Sequence, residues 1–203
     1  MALDSPQTNG WWGRPLWAEI DLDALAYNVA SLKGQAGPAA MAAVVKANAY
    51  GHGAVGVAQA ALEAGAERLA VICVDEGEQL RRAGIRAPIL VMGHSLVSDA
   101  RRIVELELTP TVNSLEMARA LAREADAAGV RQPLHLKVDT GLNRYGLPPA
   151  EIVPLAEALR QIPALDVTIE NPPCLPSTRA AVSRRSQALP GPAAPSTSPL
   201  RPA

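Results

Sequence analysis

"MAAVVKANAYGHGAVGVAQAALEAGAERLAVICVDE" occupies residues 41–76, and its texture changes twice. An apolar run over 41–46 ends in Lys46. A glycine-punctuated turn follows, then an alanine-rich stretch over 53–65 with apolar residues at helical spacing, then a second apolar run over 69–74. Strand, helix and strand in this order form a βα unit with a crossover, which makes the two strands parallel.

The same alternation continues outward from this unit. Apolar runs recur at 88–92, 108–112, 134–139 and 164–168, and helical stretches lie at 76–83, 97–106, 114–128 and 148–162. Ser114 is placed to accept an amide hydrogen at the head of the 114–128 helix, and Gly129 to close it. An earlier helix over about 21–33 follows the strand-like "LWAEI" (16–20), with Asp21 or Asp23 as its cap. The pattern predicts an α/β fold with a parallel sheet and right-handed crossovers, either open and doubly wound or closed into a barrel. A closed (β/α)8 barrel takes about 250 residues, and roughly six strands are legible here.

Bulk properties fit a globular chain. It has 203 residues, 48% of them hydrophobic, and a formal net charge of -1, which is enough apolar material for a sizeable core. Basic residues are neither in excess nor clustered over the first 170 positions, so no nucleic-acid or anionic-membrane partner is expected. The N-terminus carries Asp4 early and no continuous apolar stretch, and no run of about 18 apolar residues occurs. A cytoplasmic address is the expectation. Cys73 and Cys174 are too few and too far apart for a disulfide framework or a thiolate metal site, so no metal is expected, and Cys73 reads as a buried apolar thiol. From 171 to 203 there are eight prolines, four arginines and no acidic residue. Such a composition predicts disorder, either as an ordinary tail or as a sequence that replaces the rest of a fold.

Two places can carry chemistry. One is Lys46, among three lysines in the chain. If the 41–46 strand reaches it, Ala42, Val44 and Lys46 share a face, with Lys46 at the carboxyl end, where parallel α/β folds build their sites. Desolvation in an apolar mouth favours the neutral amine from which a Schiff base is made; alternatively, Lys46 ends its strand and reaches water. The other place is "LHLKVDTGLNRYG" (134–146). There His135, Lys137 and Asp139 alternate with Leu134, Leu136 and Val138, and a loop brings Arg144 to the strand end. Ionisable groups on an inward face need partners or a ligand. The plainer readings are that Asp139 caps the turn and that Arg144 is a solvated loop residue.

These stretches carry a resemblance. "LWAEIDLDALAYNV" (16–29), "AVVKANAYGHG" (43–53) and "LKVDTGLNRYG" (136–146) resemble three successive N-terminal motifs of the alanine racemase family, in order and at similar separations. The resemblance covers about 14–168 and implies an incomplete (β/α)8 TIM-type barrel, preceded by a flexible 1–13 and followed by a disordered tail from 169 to 203. It implies a pyridoxal 5'-phosphate enzyme that interconverts L-alanine and D-alanine, supplying D-alanine for the cell wall. Residue by residue, Lys46 matches the lysine that carries the cofactor and acts as one of two proton-transfer bases. Tyr50 matches a tyrosine on the cofactor phosphate, Arg144 an arginine on its phenolic oxygen, and Lys137 a lysine often carbamylated to orient that arginine. His52 matches a loop or supporting position; His94 reads as a loop residue. In the family the second base is a tyrosine of the partner subunit's C-terminal domain, so the intact enzyme is a homodimer. The sixth strand is where the resemblance stops, so the expectation is a truncated or frame-shifted chain that is inactive by itself. The alternative is a non-catalytic pyridoxal phosphate-binding module, like the single-barrel homeostasis proteins that share a lysine after the first strand.

Overall fold

The computed structural model describes residues 18–170. The expectation of a flexible 1–13 lies outside the described residues, as does that of a disordered 169–203 from residue 171 onward, and as do the first two residues of "LWAEI". The remainder of that segment, 18–20, has no regular secondary structure.

Helices and strands alternate as the apolar periodicity requires. In order they are α1 (Leu22–Ala36), β1 (Ala42–Val44), the short α2 (Lys46–Tyr50), α3 (Ala54–Glu63), β2 (Arg68–Val71), α4 (Val74–Arg82), β3 (Ile89–Val91), a 3-10 turn (Val97–Asp99), α5 (Ala100–Glu105), β4 (Leu108–Val112), α6 (Leu115–Ala128), β5 (Gln132–Lys137), α7 (Pro149–Arg160) and β6 (Leu165–Glu170). Side chains set several of these boundaries. Asp21 Oδ1 accepts the Ala24 N–H at 2.9 Å, and Ser114 Oγ accepts the Met117 N–H at 3.2 Å; each takes up one of the amides that a helix start leaves over. Gly129 ends α6 in the left-handed conformation. β6 runs to Glu170, two residues past the boundary expected at 168.

All six strands are parallel to their neighbours, and their order in the sheet is the chain order, β1-β2-β3-β4-β5-β6. That order decides between the two sheet types left open by the sequence. A doubly wound sheet reverses its strand order at a switch point, whereas a (β/α)8 barrel does not. The described residues follow the barrel order through six strands, an incomplete barrel topology. No helix among them is long and apolar enough to cross a membrane.

The chain divides into two compact units after Pro110. In the first, Ala42 is paired with Arg68, Leu69 with Ile89, and Ile89 with Leu108. Leu69, Leu80, Ile89, Ile103 and Leu108 are fully buried between these strands and α4 and α5. α4 lies so close to β4 that a Cβ on Gly77 would sit 2.9 Å from Leu108 Cδ1. The buried Arg81 ties the end of α4 to two loops, donating to the carbonyls of Ile85, Ala87, Leu106 and Glu107. Five N–H donors let one guanidinium satisfy several carbonyls at once. In the second unit, Thr111 pairs with His135, and β5 pairs with β6 from Gln132 opposite Leu165 to Lys137 opposite Glu170. Leu121, Leu134, Leu136 and Leu159 form its core.

Candidate active site

The β1 ladder ends before it reaches Lys46. Val45 still donates its N–H to Ala70 O at 2.9 Å, but its φ of -119° and ψ of 21° already leave the extended region. The expected shared face of Ala42, Val44 and Lys46 is therefore corrected: Lys46 opens α2. From Ala47 to Tyr50 the chain then runs left-handed, with φ of 52°, 54°, 52° and 56°. For non-glycine residues this conformation costs about 1–2 kcal/mol each, somewhat less for asparagine. A dense set of bonds offsets it. Ala49 N–H donates to Val45 O at 2.9 Å, Gly51 N–H to Ala47 O at 3.0 Å, and Gly53 N–H to Asn48 O at 2.9 Å. Asn48 Oδ1 accepts the Ala54 N–H at the head of α3 at 2.8 Å, and Glu76 Oε1 accepts the Ala47 N–H at 2.7 Å.

This turn brings Lys46 and Tyr50 together. Lys46 is half-buried, and its Nζ lies 5.9 Å from the centroid of the Tyr50 ring. Tyr50 is 61% exposed. His52 Nδ1 lies 2.8 Å from Ala49 O, within the same turn. His94 is exposed after β3, in the loop assigned to it. Cys73 is half-buried at the N-cap of α4, a correction to the buried thiol expected from its apolar neighbours.

The second unit positions the other two residues. Past Lys137, Val138 forms a bridge with Leu147: Asp139 N–H donates to Leu147 O, and Leu147 N–H to Lys137 O, both at 2.8 Å. These bonds pinch the 139–146 loop shut at its base. Gly146, at φ 140°, closes the pinch, and a Cβ on it would sit 2.8 Å from Asp139 N. Asp139 Oδ1 accepts the N–H groups of Gly141 at 2.9 Å and Asn143 at 3.1 Å. Those bonds, Gly141 foremost, hold its carboxyl below the usual aspartate range. Asp139 thus caps the turn, the plainer of its two readings, and Arg144 is exposed on the loop. The expected division of β5 into a polar and an apolar face is corrected at His135. It is buried like Leu134 and Leu136 on either side, so both faces of the strand are covered there. Lys137, half-buried at the strand end, lies with Nζ 5.7 Å from the Tyr145 ring centroid. Tyr145 donates its O–H to Thr111 O at 3.2 Å, and burial raises its pKa.

Sequence reasoning missed Glu76, Tyr145 and the handedness of α2. Asn48, which tolerates positive φ, and the glycines at 51 and 53 were the available signals for the last.

A parallel βα chain in barrel order, with a lysine and a tyrosine on a braced turn after its first strand, belongs to the barrel class of α/β proteins, which build their sites at carboxyl strand ends. The particular family follows from likeness to known proteins. The model of the alanine racemase N-terminal domain matches residues 20–170. An alanine racemase of Symbiobacterium thermophilum is 46% identical over 154 residues, which are 76% of this chain and 41% of that protein. Among solved structures, alanine racemase of Clostridium difficile 630 in complex with cycloserine aligns with a TM-score of 0.72 at 35% identity, covering 77% of this chain and 43% of that one. The Bacillus anthracis alanine racemase with bound L-Ala-P aligns at 0.68 and 38% identity, covering 75% and 40%. The chain belongs to the alanine racemase N-terminal domain family, and it spans about two-fifths of the length of the curated relatives it matches.

Proposed function

We propose that this chain is the cofactor-binding part of an alanine racemase that interconverts L-alanine and D-alanine with pyridoxal 5'-phosphate. The observation that carries the reading is the braced turn from Lys46 to Tyr50 after the first strand. The donor set suits the cofactor. Lys46 offers a primary amine to an aldehyde, the exposed Tyr50 offers an O–H to a phosphate oxygen, and the exposed Arg144 offers a guanidinium to a phenolic oxygen. When bound, pyridoxal 5'-phosphate supplies an electron sink that acidifies the Cα–H of an attached amino acid.

Lys46 would hold the cofactor through its amine and would take or return the Cα proton of alanine on one face. Tyr50 orients the phosphate end. Lys137, as a carbamate, is the anion that aligns Arg144. Racemisation also needs a base on the opposite face. We assign that base to sequence beyond the matched span, from the second subunit of a homodimer. The present chain alone is then expected to bind cofactor and to leave the handedness of alanine unchanged. The reading carries with it a cytoplasmic setting and a role in supplying D-alanine for the cell wall.

The test is borohydride reduction of the full chain with pyridoxal 5'-phosphate, followed by peptide mass mapping. A pyridoxyl group on Lys46, lost in Lys46→Arg, is expected. No label on Lys46 overturns the reading, and racemisation by the chain alone overturns the assignment of the second base. A second reading, a non-catalytic pyridoxal phosphate-binding module, is favoured by one feature: Lys46, Tyr50 and Glu76 all belong to the first compact unit. Supplying the C-terminal portion of a racemase separates the two, because only the enzyme reading gains activity.

A further inference from the structure

Glu76 is the third residue of α4. A carboxylate at that place commonly reaches back to an amide just ahead of its own helix, and Glu76 Oε2 does so, accepting the Ile72 N–H at 2.8 Å. The other oxygen serves no need of α4. It accepts the Ala47 N–H at 2.7 Å, across 29 residues of sequence.

The Ala47 nitrogen shares a rigid peptide plane with the Lys46 carbonyl. Glu76 therefore fixes the plane on one side of Lys46 Cα, while the Ala49 N–H bond to Val45 O fixes the plane on the other. Ala47 is also the first left-handed residue of the turn, and its amide is among those that a helical start leaves unsatisfied. A charged acceptor there makes a stronger bond than water-competed neutral groups do. The same carboxylate ties the end of β2 to the turn after β1, so one side chain sets the spacing of two neighbouring strand ends.

We propose that Glu76 is a positioning residue for Lys46. Its carboxylate holds the left-handed turn in the conformation that presents the lysine amine to an aldehyde. This rests on the reading of Lys46 as the cofactor-bearing lysine.

The full chain is compared as wild type, Glu76→Gln and Glu76→Asp. Two quantities are read: hydrogen exchange at the Ala47 amide without cofactor, and the rate of borohydride-trapped labelling at Lys46 under saturating pyridoxal 5'-phosphate. Lys33 in the same sample serves as the internal reference. In the wild type the Ala47 amide is expected to exchange well below the unstructured-chain rate. Glu76→Gln keeps one acceptor oxygen for two amides, so exchange at Ala47 rises about tenfold and labelling of Lys46 falls about tenfold. Labelling of Lys33 stays constant, which a general loosening of the fold would not allow. Glu76→Asp, one methylene shorter, gives the same pattern and serves if the glutamine variant does not fold. The proposal is overturned if the wild-type Ala47 amide exchanges at the unstructured rate, if a folded variant labels Lys46 at the wild-type rate, or if Lys33 and Lys46 change together. A wild type that takes no label on Lys46 sinks the cofactor reading instead, and Ala47 exchange then decides whether Glu76 holds the turn.

Discussion

Protonating Asp139 removes the charge that accepts the Gly141 and Asn143 amides at the base of the Arg144 loop. Its folded pKa lies below the ordinary value of 3.8 because those amides favour the ionised form. The sign follows directly: the bonds contribute fully above the ordinary value, and their contribution is lost as pH falls through the lowered folded value. The amide resonances of Gly141 and Asn143 should therefore keep their neutral-pH positions down to about the ordinary aspartate pKa and shift only below it. Asp139→Asn should abolish that transition. A shift that survives in the variant would assign the titration to another group. Residue identity was legible in the sequence where one residue type has few uses: Lys46 after an apolar run and Arg144 in a glycine-flanked loop stand out. Glu76 does not, because a glutamate in the first turn of a helix is ordinary dipole complementation. Only the fold reveals that its other oxygen reaches Ala47. Tyr145 was hidden for the same reason, since its contacts with Lys137 and Thr111 depend on how the loop closes.

At the scale of elements, helix limits followed the sequence closely wherever a side chain sets them, as Asp21 and Ser114 do. β1 was overextended because alternation in "AAVVK" looks the same whether the chain stays extended or turns left-handed after Val45. The competing bonds that decide this, to Ala70 and Glu76, come from other elements. The strained turn makes opposite predictions at adjacent residues. Ala47 is exposed with φ 52°, so Ala47→Gly removes the Cβ responsible for the strain and should stabilise the fold by about 1 kcal/mol, seen as a higher unfolding midpoint. Asn48→Ala loses the side-chain acceptor for the Ala54 N–H and the residue best suited to positive φ, and should destabilise by about 1 kcal/mol. If both substitutions lower the midpoint alike, the turn is held by side-chain packing and not by the balance of backbone strain and hydrogen bonds described here.

For the molecule as a whole, apolar periodicity reached only as far as parallel pairing, and the family resemblance implied the barrel. The observed succession from β1 to β6 bears the barrel order out over the described residues. Among the described residues β1 and β6 are the end strands of that succession, each paired on one side. Strands of parallel α/β proteins are ordinarily covered on both faces, yet in β1 Ala42 is exposed and Val44 is 39% exposed. The Val45 N–H points to β2, and along a strand successive amides alternate in direction, so the Val44 N–H faces the open edge. Among the described residues no strand pairs with that edge, and an apolar edge of this kind is a template for another strand. The full chain should therefore self-associate as concentration rises, measured by sedimentation. Val44→Lys, which places a charge on that edge without touching the β2 ladder, should weaken the association severalfold. Supplying the C-terminal portion of an alanine racemase should weaken it too, by covering the same edge with the remainder of the barrel. A chain that stays monomeric at all concentrations, or an association indifferent to Val44→Lys, would show that β1 is not the surface through which copies meet.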